Sequence, residues 1–144
     1  MRARADSQGA GGVSLFLPMF NEEGSIGQAV SAALGAVERV AASGEVIVVN
    51  DGSIDQTATV ADRLAAADPR IRVVTHRENR GYGAAVRSGL EAARHAVVVL
   101  VDGDNQFDVS ELGRLIDLLH SADIVSGYRI ARRDPWHRRF YAFL

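Results

Sequence analysis

The sequence contains no cysteine and no lysine, so all sixteen of its basic residues are arginine. Without cysteine there can be no disulfide, thiolate nucleophile or cysteine-bound zinc, which fits a reducing compartment. Without lysine, a Schiff-base mechanism and a P-loop lysine are excluded. No apolar run reaches the roughly 18 residues of a membrane span, and residues 2–12 lack the apolar core of a signal peptide. These absences predict a cytoplasmic protein.

Strong net charge is also missing. The 144 residues carry a net charge of −2, so no global field attracts the chain to nucleic acid, and we expect no nucleic-acid partner. The chain is 47% hydrophobic and 24% charged, which is typical of one globular domain with its own core. We predict a flexible tail over residues 1–12, a folded domain over 13–130 and a separate segment over 131–144.

Short apolar segments alternate with segments of helical periodicity, which predicts βαβ units and a mostly parallel sheet flanked by helices. Ser25 with Gln28 and Ser53 with Gln56 are predicted capping boxes at two helix starts. The most apolar strand is the fourth, which we expect at the centre of the sheet. The predicted strands are Val13–Leu17, Glu45–Val49, Arg72–Thr75, Ala96–Val101 and Ile124–Gly127. The predicted helices are Ser25–Ala42, Ser53–Ala67, Tyr82–Arg94 and Asp108–His120.

Ligands of such sheets bind beyond the carboxyl ends of the strands. Most of the unusual polar residues follow four of the predicted strands. They lie in Pro18–Glu23, Asn50–Ser53, His76–Gly83 and Asp102–Asp108. We therefore expect the functional site where these four stretches meet.

Asp102 and Asp104 stand one residue apart, directly after the most apolar strand. Carboxylates held this close repel each other unless a cation joins them, and hard oxygen ligands suit Mg²⁺ or Mn²⁺. A solvated turn is the simpler explanation of an isolated Asp-x-Asp. An EF-hand is excluded, because its turn glycine would fall on Phe107 and its bidentate glutamate on Gly113.

The stretches after the first two strands have both structural and functional interpretations. Asp51 can accept a hydrogen bond from a nucleobase, and Gly52 lets the backbone turn close to a ligand. Pro18 and Phe20 can form a flat wall for a base, while Glu22 can accept from ribose hydroxyls. Turn formation with an N-cap explains Asp51 and Gly52 equally well, and a helix start is the simpler explanation of Pro18–Glu23 taken alone.

The stretch Asn79–Ala85 half resembles a dinucleotide-binding loop. Val86 occupies the third glycine position, however, and the loop follows the third strand instead of the first. A dinucleotide-dependent oxidoreductase therefore stays a weak alternative.

In combination, the four stretches resemble the family 2 glycosyltransferases of the GT-A fold, most nearly the polyprenyl-phosphate (dolichyl-phosphate) hexose synthases. The likeness extends over about residues 13–130. The matching segments are LPMFNEEGSI, EVIVVNDGSIDQT, ENRGYGAAVRSGLEAA, VVVLVDGDNQFD and ADIVSGYR. The resemblance implies a Rossmann-like GT-A sheet.

The resemblance also implies a role for each matching residue. The residues lining the nucleoside pocket would be Pro18, Phe20, Asn21 and Glu22. Asp51 would contact the nucleobase, and Gly83 and Ala84 would pack close to the nucleotide. The metal and diphosphate would be surrounded by Asp102, Asp104 and Gln106, and phosphate would be met by Arg129 and, less securely in spacing, by Arg138. Asp104 and Arg129 would be the catalytic residues. Asn50 stands where many relatives carry aspartate, which leaves the donor open.

The implied activity is inverting transfer of a hexose from a nucleotide diphosphate sugar, of the GDP-mannose or UDP-glucose type, to polyprenyl phosphate, with Mg²⁺ or Mn²⁺ as cofactor. A non-catalytic nucleotide-sugar-binding module is the main alternative. The sequence leaves association into a homo-oligomer open.

The last segment of the chain differs in character from the rest. Five arginines and four aromatic residues lie within 129–144, a pattern typical of an amphipathic segment at an anionic membrane surface. A solvated basic tail is the alternative. Because no cap or stop signal precedes Leu144, we expect a fragment or a short member, placed peripherally at the inner face of the membrane.

Overall fold

A computed structural model describes residues 11–102 and 111–127 of the chain. Within them, strands and helices alternate as the periodicity predicts. The strands are β1 (Val13–Met19), β2 (Gly44–Asn50), β3 (Ile71–Thr75) and β4 (Val97–Leu100). The helices are α1 (Ile26–Val40), α2 (Thr57–Ala67), α3 (Tyr82–Ala92) and α4 (Leu112–Leu118).

The strands described form one parallel sheet in the order β3-β2-β1-β4. Val13 pairs with Gly44 at one end of the β1–β2 ladder and Met19 with Asn50 at the other. Parallel neighbours need a crossover between them, and a helix supplies each one. The predicted α/β class with a mostly parallel sheet is therefore confirmed.

Helices cover the two faces of the sheet unequally. The larger core cluster joins the face of β1 that carries Leu15 and Leu17 to residues of α1, α2 and α4. The smaller cluster places Phe16 on the other face, against α3. A Cβ at Gly89 would lie 2.1 Å from the Phe16 ring, so only glycine lets α3 approach this closely. The uneven cover leaves part of the α3 face of the sheet open.

Two predictions about the sheet are wrong. The apolar fourth strand lies at an edge of the described sheet instead of its centre, and its Val98 and Leu100 are 37% and 42% exposed. They project to the face that α3 covers only in part, whereas Val97 and Val99 pack on the larger cluster. The predicted fifth strand, 124–127, has no strand conformation, and Ile124 is 86% exposed. An apolar segment without a neighbour to pair with cannot form a ladder.

A buried ionic cluster joins the strands at the end of the sheet where they begin. The carboxylate of Glu45 accepts hydrogen bonds from Ser14 Oγ at 2.7 Å, from Arg72 Nη1 at 2.9 Å and from the Arg94 N–H at 2.9 Å. Burial raises the pKa of Glu45, but these three donors outweigh burial and hold the pKa below its ordinary value of 4.5. The cluster thereby ties β1, β2, β3 and the α3–β4 connection together as an anion.

None of the helices within residues 11–102 and 111–127 combines the length and apolar character that a membrane crossing requires.

Candidate functional site

The loops that follow β1 to β4 meet at the carboxyl edge of the sheet. Backbone hydrogen bonds extend the ladder beyond the strands, from Asp51 N–H to the Met19 carbonyl and from His76 N–H to the Asn50 carbonyl, both at 2.9 Å. The Val101 N–H donates to the Phe16 carbonyl at 3.1 Å. Each loop therefore starts from a fixed point, and the expected convergence of the polar stretches is present as far as Asp102.

A network of five hydrogen bonds, here called the loop clasp, joins the β1–α1 loop to the β2–α2 loop. The N–H groups of 21, 22 and 23 donate across to the second loop, and two groups of that loop donate back. The pairs are Asn21 N–H to Ser53 Oγ (3.0 Å), Glu22 N–H to Thr57 Oγ1 (2.8 Å) and Glu23 N–H to Asp55 Oδ2 (3.2 Å). The return pairs are Ile54 N–H to Asn21 Oδ1 (2.9 Å) and Gln56 N–H to Glu23 Oε2 (2.9 Å).

Both predicted capping boxes are wrong, because neither α1 nor α2 has a side-chain cap. Ser25 precedes α1 but makes no side-chain cap, and its hydroxyl lies 2.5 Å from Glu22 Oε2. Ser53 is not the N-cap of α2, since that position falls to Gln56 and the Ser53 hydroxyl accepts from Asn21. Ser25 thus bonds within its own loop and Ser53 bonds across to the first loop, in place of the predicted caps.

Asn21 adopts a left-handed backbone conformation with φ of 56°, which asparagine tolerates better than most residues. Its side-chain oxygen is engaged by Ile54 within the loop clasp. The predicted place of Asn21 in the nucleoside pocket stays a prediction, and the structure gives the residue a scaffolding contact as well.

Asp51 is the buried hub between the second and third loops. Its Oδ1 accepts from His76 Nδ1 at 2.6 Å and from the Arg80 N–H at 2.9 Å, and its Oδ2 accepts from the Gly81 N–H at 2.8 Å. Burial raises the pKa of Asp51, but the donors Arg80, His76 and Gly81 outweigh burial and the net pKa lies below its ordinary value. The carboxylate is therefore ionised and holds the β3–α3 loop, whereas its predicted contact with a base stays a prediction.

His76, which is only 7% exposed, continues this hub toward α3. Because the Asp51 carboxylate can only accept, the Nδ1 atom of His76 carries the proton, and Nε2 lies 2.8 Å from Ser88 Oγ. In the neutral ring, Ser88 donates to Nε2. The hydrogen-bonded series Ser88–His76–Asp51 thus orients the Asp51 carboxylate from the side of α3.

Gly52 has a φ of 69°, and a Cβ there would lie 2.2 Å from the backbone of Glu78. Only glycine allows the second and third loops to pack this closely. The backbone freedom predicted for Gly52 therefore permits close contact between the second and third loops.

The fourth loop reaches the others through Tyr82. Tyr82 Oη donates to Asp102 Oδ1 at 3.0 Å. Burial, followed by this bond to a carboxylate, raises the pKa of Tyr82. Asp102 is exposed just beyond β4, and its hard oxygen ligands suit the predicted divalent cation.

The other predicted contact residues have varied settings. Phe20 is 44% exposed and its ring is accessible to a ligand, whereas Pro18 is half-buried within β1. Gly83 is exposed and a Cβ there would meet open space, and Ala84 is half-buried at the start of α3. Their predicted contacts with a nucleotide stay predictions.

Four predicted site residues lie outside the described residues: Asp104, Gln106, Arg129 and Arg138. Within the described part of the chain, no three acidic or histidine side chains converge as a metal site would require. Asp102 is thus the one predicted metal ligand with a described setting.

Sequence reasoning placed His76 and Tyr82 in a stretch at the expected site without giving either a role, and it missed Ser88. His76 follows β3 at the ligand edge, and its position was the signal available. The contacts of Tyr82 and Ser88 depend on how α3 lies across the sheet, which the sequence pattern does not specify.

The fold and site define an open parallel α/β protein whose ligand edge is built from four loops, two of them carrying the key carboxylates. The sequence pattern described as Glycosyl transferase family 2 matches residues 14–143, and the chain belongs to this family. The fold class is GT-A, as the sequence resemblance implies.

Curated relatives and solved structures agree with this family. The chain is 32% identical over 130 residues to undecaprenyl-phosphate 4-deoxy-4-formamido-L-arabinose transferase of Edwardsiella ictaluri, covering 88% of the chain and 40% of the relative. It is 32% identical to dodecaprenyl-phosphate galacturonate synthase of Rhizobium johnstonii, covering 85% of the chain and 37% of the relative.

Among solved structures, mannosyltransferase PcManGT of Pyrobaculum calidifontis in complex with GDP-Man and Mn²⁺ matches with a TM-score of 0.63 and 25% identity. The match covers 74% of the chain and 32% of that structure. S. aureus TarS in complex with UDP-GlcNAc has a TM-score of 0.59 at 23% identity, covers 74% of the chain and 30% of that structure, and supports the fold alone. The chain spans about 40% of the length of these curated relatives.

Proposed function

We propose that this chain is the nucleotide-sugar-binding part of an inverting glycosyltransferase that moves a hexose from a nucleotide diphosphate sugar to polyprenyl phosphate. The observation that carries the proposal is the ligand edge, where a buried anionic Asp51 follows β2 and an exposed Asp102 follows β4, with β1 between the two strands. Relatives whose names specify polyprenyl-phosphate transfer support the acceptor class. Membership of the family disfavours the oxidoreductase alternative.

In this proposal, residues of different loops bind different parts of the donor. Phe20 offers an exposed ring for a base, and Asp51 offers an ionised acceptor at the end of the neighbouring strand. Asp102, with Asp104 and Gln106 after it in sequence, would hold Mg²⁺ or Mn²⁺. When bound, such an ion neutralises charge on the departing nucleotide diphosphate.

The chemistry needs no base from the protein. A lipid phosphate is already ionised at neutral pH, so its oxygen attacks the anomeric carbon directly. The bond from that carbon to the nucleotide diphosphate breaks on the opposite face, which inverts the anomeric centre. Arg129 and Arg138 would meet the phosphates as negative charge develops on the leaving group.

The first test is calorimetry of GDP and UDP, each with and without Mn²⁺, on the wild-type chain and on Asp104→Ala. We expect metal to strengthen binding by at least tenfold in the wild type and to have no effect in the variant. Asp123→Ala, which changes an exposed carboxylate beyond α4, is the matched control and should behave as wild type. Equal metal enhancement in Asp104→Ala would remove the metal assignment.

The second test is product analysis with a panel of nucleotide sugars and polyprenyl phosphate. Formation of a polyprenyl-phosphate sugar with inverted configuration supports the proposed reaction. Metal-dependent nucleotide binding without any transfer would instead favour the non-catalytic module. Stabilisation by NAD alone in a thermal-shift panel of UDP, GDP and NAD would overturn both.

A further inference from the structure

Tyr82 has a large aromatic ring that the core does not use. Although it begins α3, its side chain is 58% exposed. A ring this exposed adds little to the core, so the contact that distinguishes Tyr82 is the one made by its polar end. That end donates to Asp102 Oδ1 at 3.0 Å, across 20 residues of sequence.

The backbone just before Tyr82 is held firmly. Asp51 accepts from the N–H groups of both Arg80 and Gly81, and Gly81 takes a φ of 89° that other residues rarely adopt. The start of α3 is therefore fixed relative to β2. Tyr82 projects from this fixed point to a carboxylate just beyond β4, which is two strands away from β2 in the sheet.

Asp102, by contrast, has little to orient it. It lies exposed after an edge strand, where its side chain could sample several rotamers. Among the residues that the structure describes, its hydrogen bond engages only Oδ1, and Oδ2 is left to face a ligand. Partners of this kind orient ligating carboxylates, and their loss typically costs about 10- to 100-fold in metal affinity.

We propose that Tyr82 is a positioning residue for Asp102, holding its carboxylate ready for the metal-diphosphate end of the ligand and linking it through the 80–81 backbone to Asp51. The inference rests on the proposed function and deepens it. Its consequence is that the nucleoside end and the diphosphate end of the site are built as one unit.

The test is calorimetry of Mn²⁺ binding in the presence of GDP or UDP on four full-length chains: wild type, Tyr82→Phe, Asp102→Asn and the double variant. We expect Tyr82→Phe to weaken the apparent Mn²⁺ affinity about tenfold in the wild-type background and less than twofold in the Asp102→Asn background. Its melting temperature and its metal-free nucleotide affinity should stay at wild-type values, since only an exposed hydroxyl is removed. Ser121→Ala, which removes an exposed hydroxyl that bonds to the Leu118 carbonyl beyond α4, is the matched control.

Each outcome separates the possibilities. Equal Mn²⁺ affinity in Tyr82→Phe and wild type overturns the positioning role and leaves the proposed function intact. The same loss in both backgrounds also overturns it, because Tyr82 would then contact the ligand directly. A wild-type chain that binds no nucleotide with Mn²⁺ overturns the proposed function and the inference together.

Discussion

Asp51 illustrates how one side chain can serve both the fold and the site. The sequence suggests two interpretations, a contact for a nucleobase or a turn residue. In the structure the carboxylate accepts three hydrogen bonds that anchor the third loop. A structural duty does not remove the functional one, because each carboxylate oxygen has two lone pairs and Oδ2 has accepted only one bond.

Asp51→Asn should both destabilise the chain and weaken nucleotide binding. The amide NH₂ must replace one carboxylate oxygen and confront a backbone N–H, so we expect a loss of about 2 kcal/mol in the free energy of unfolding. We expect the folded fraction to bind GDP or UDP at least tenfold more weakly. Urea unfolding measures the loss of stability. Calorimetry below the unfolding midpoint measures the loss of nucleotide affinity separately.

Asp62→Asn, which changes an exposed carboxylate on α2, is the control for this experiment. A folded Asp51→Asn chain that binds nucleotide as tightly as wild type would contradict the base contact and leave Asp51 as a loop anchor only.

At the scale of elements, contacts between loops replace local signals within them. Ser25 and Ser53 carry the sequence signature of helix caps, but neither caps a helix by its side chain. The two loops run side by side because their parallel strands end at the same edge, so cross-loop donors reach acceptors that a cap would have used. The loop clasp holds the first two loops of the site together without a bound ligand.

The Glu45 cluster at the opposite end of the sheet should make a contribution to stability that is lost in acid. Glu45 is held as an anion by Arg72, Ser14 and the Arg94 N–H, and its folded pKa is lowered. A lowered folded pKa contributes stability that is present above the unfolded value, here 4.5, and is lost as pH falls through the folded value.

Glu45→Gln should therefore lower the free energy of unfolding by about 2 kcal/mol at pH 7, since hydrogen bonds to a charged group are lost. The difference from wild type should shrink below pH 4.5 and vanish once the wild-type carboxyl is protonated. Urea unfolding over a pH series measures it. Glu91→Gln, whose partner Arg87 is exposed, is the control and should change stability little at any pH. A constant difference across the whole series would show that packing, and not ionisation, sets the cost.

At the scale of the whole molecule, charge is distributed unevenly along the sequence. Five arginines follow residue 128 in a chain whose net charge is −2. Each arginine near an anionic membrane surface contributes on the order of 1 kcal/mol before screening by salt. This sequence pattern carries the proposal that the chain acts at a membrane surface, where a polyprenyl-phosphate acceptor would reside.

We expect the full chain to co-sediment with vesicles that contain anionic lipid, and to do so less as salt increases. A chain that ends at Arg129 should not co-sediment, and vesicles of neutral lipid should retain neither version. Equal partitioning of the two versions onto anionic vesicles would refute the membrane role and leave the segment as a solvated basic tail.

The sequence by itself determined the four strands and four helices of the described residues, the parallel class and the edge where the polar loops meet. Apolar runs and helical periodicity are local properties, and the right-handed βαβ crossover follows from chain chirality, so neither depends on remote contacts. The same local logic correctly placed Asp51 and Asp102 after strands, at the carboxyl edge.

Only the tertiary structure decided which strand has which neighbours and which polar groups pair. The apolar composition of β4 predicts a central strand, yet β4 lies at the edge of the described sheet. The prediction failed because an apolar run indicates burial but does not specify which strands pair with it. Likewise, Ser88, His76 and Tyr82 acquire their contacts from the way α3 crosses the sheet, which depends on the close fit of Gly89 against Phe16. Hydrogen bonds between residues 12 to 35 apart in sequence exist only after packing brings the loops together, and no local pattern encodes them.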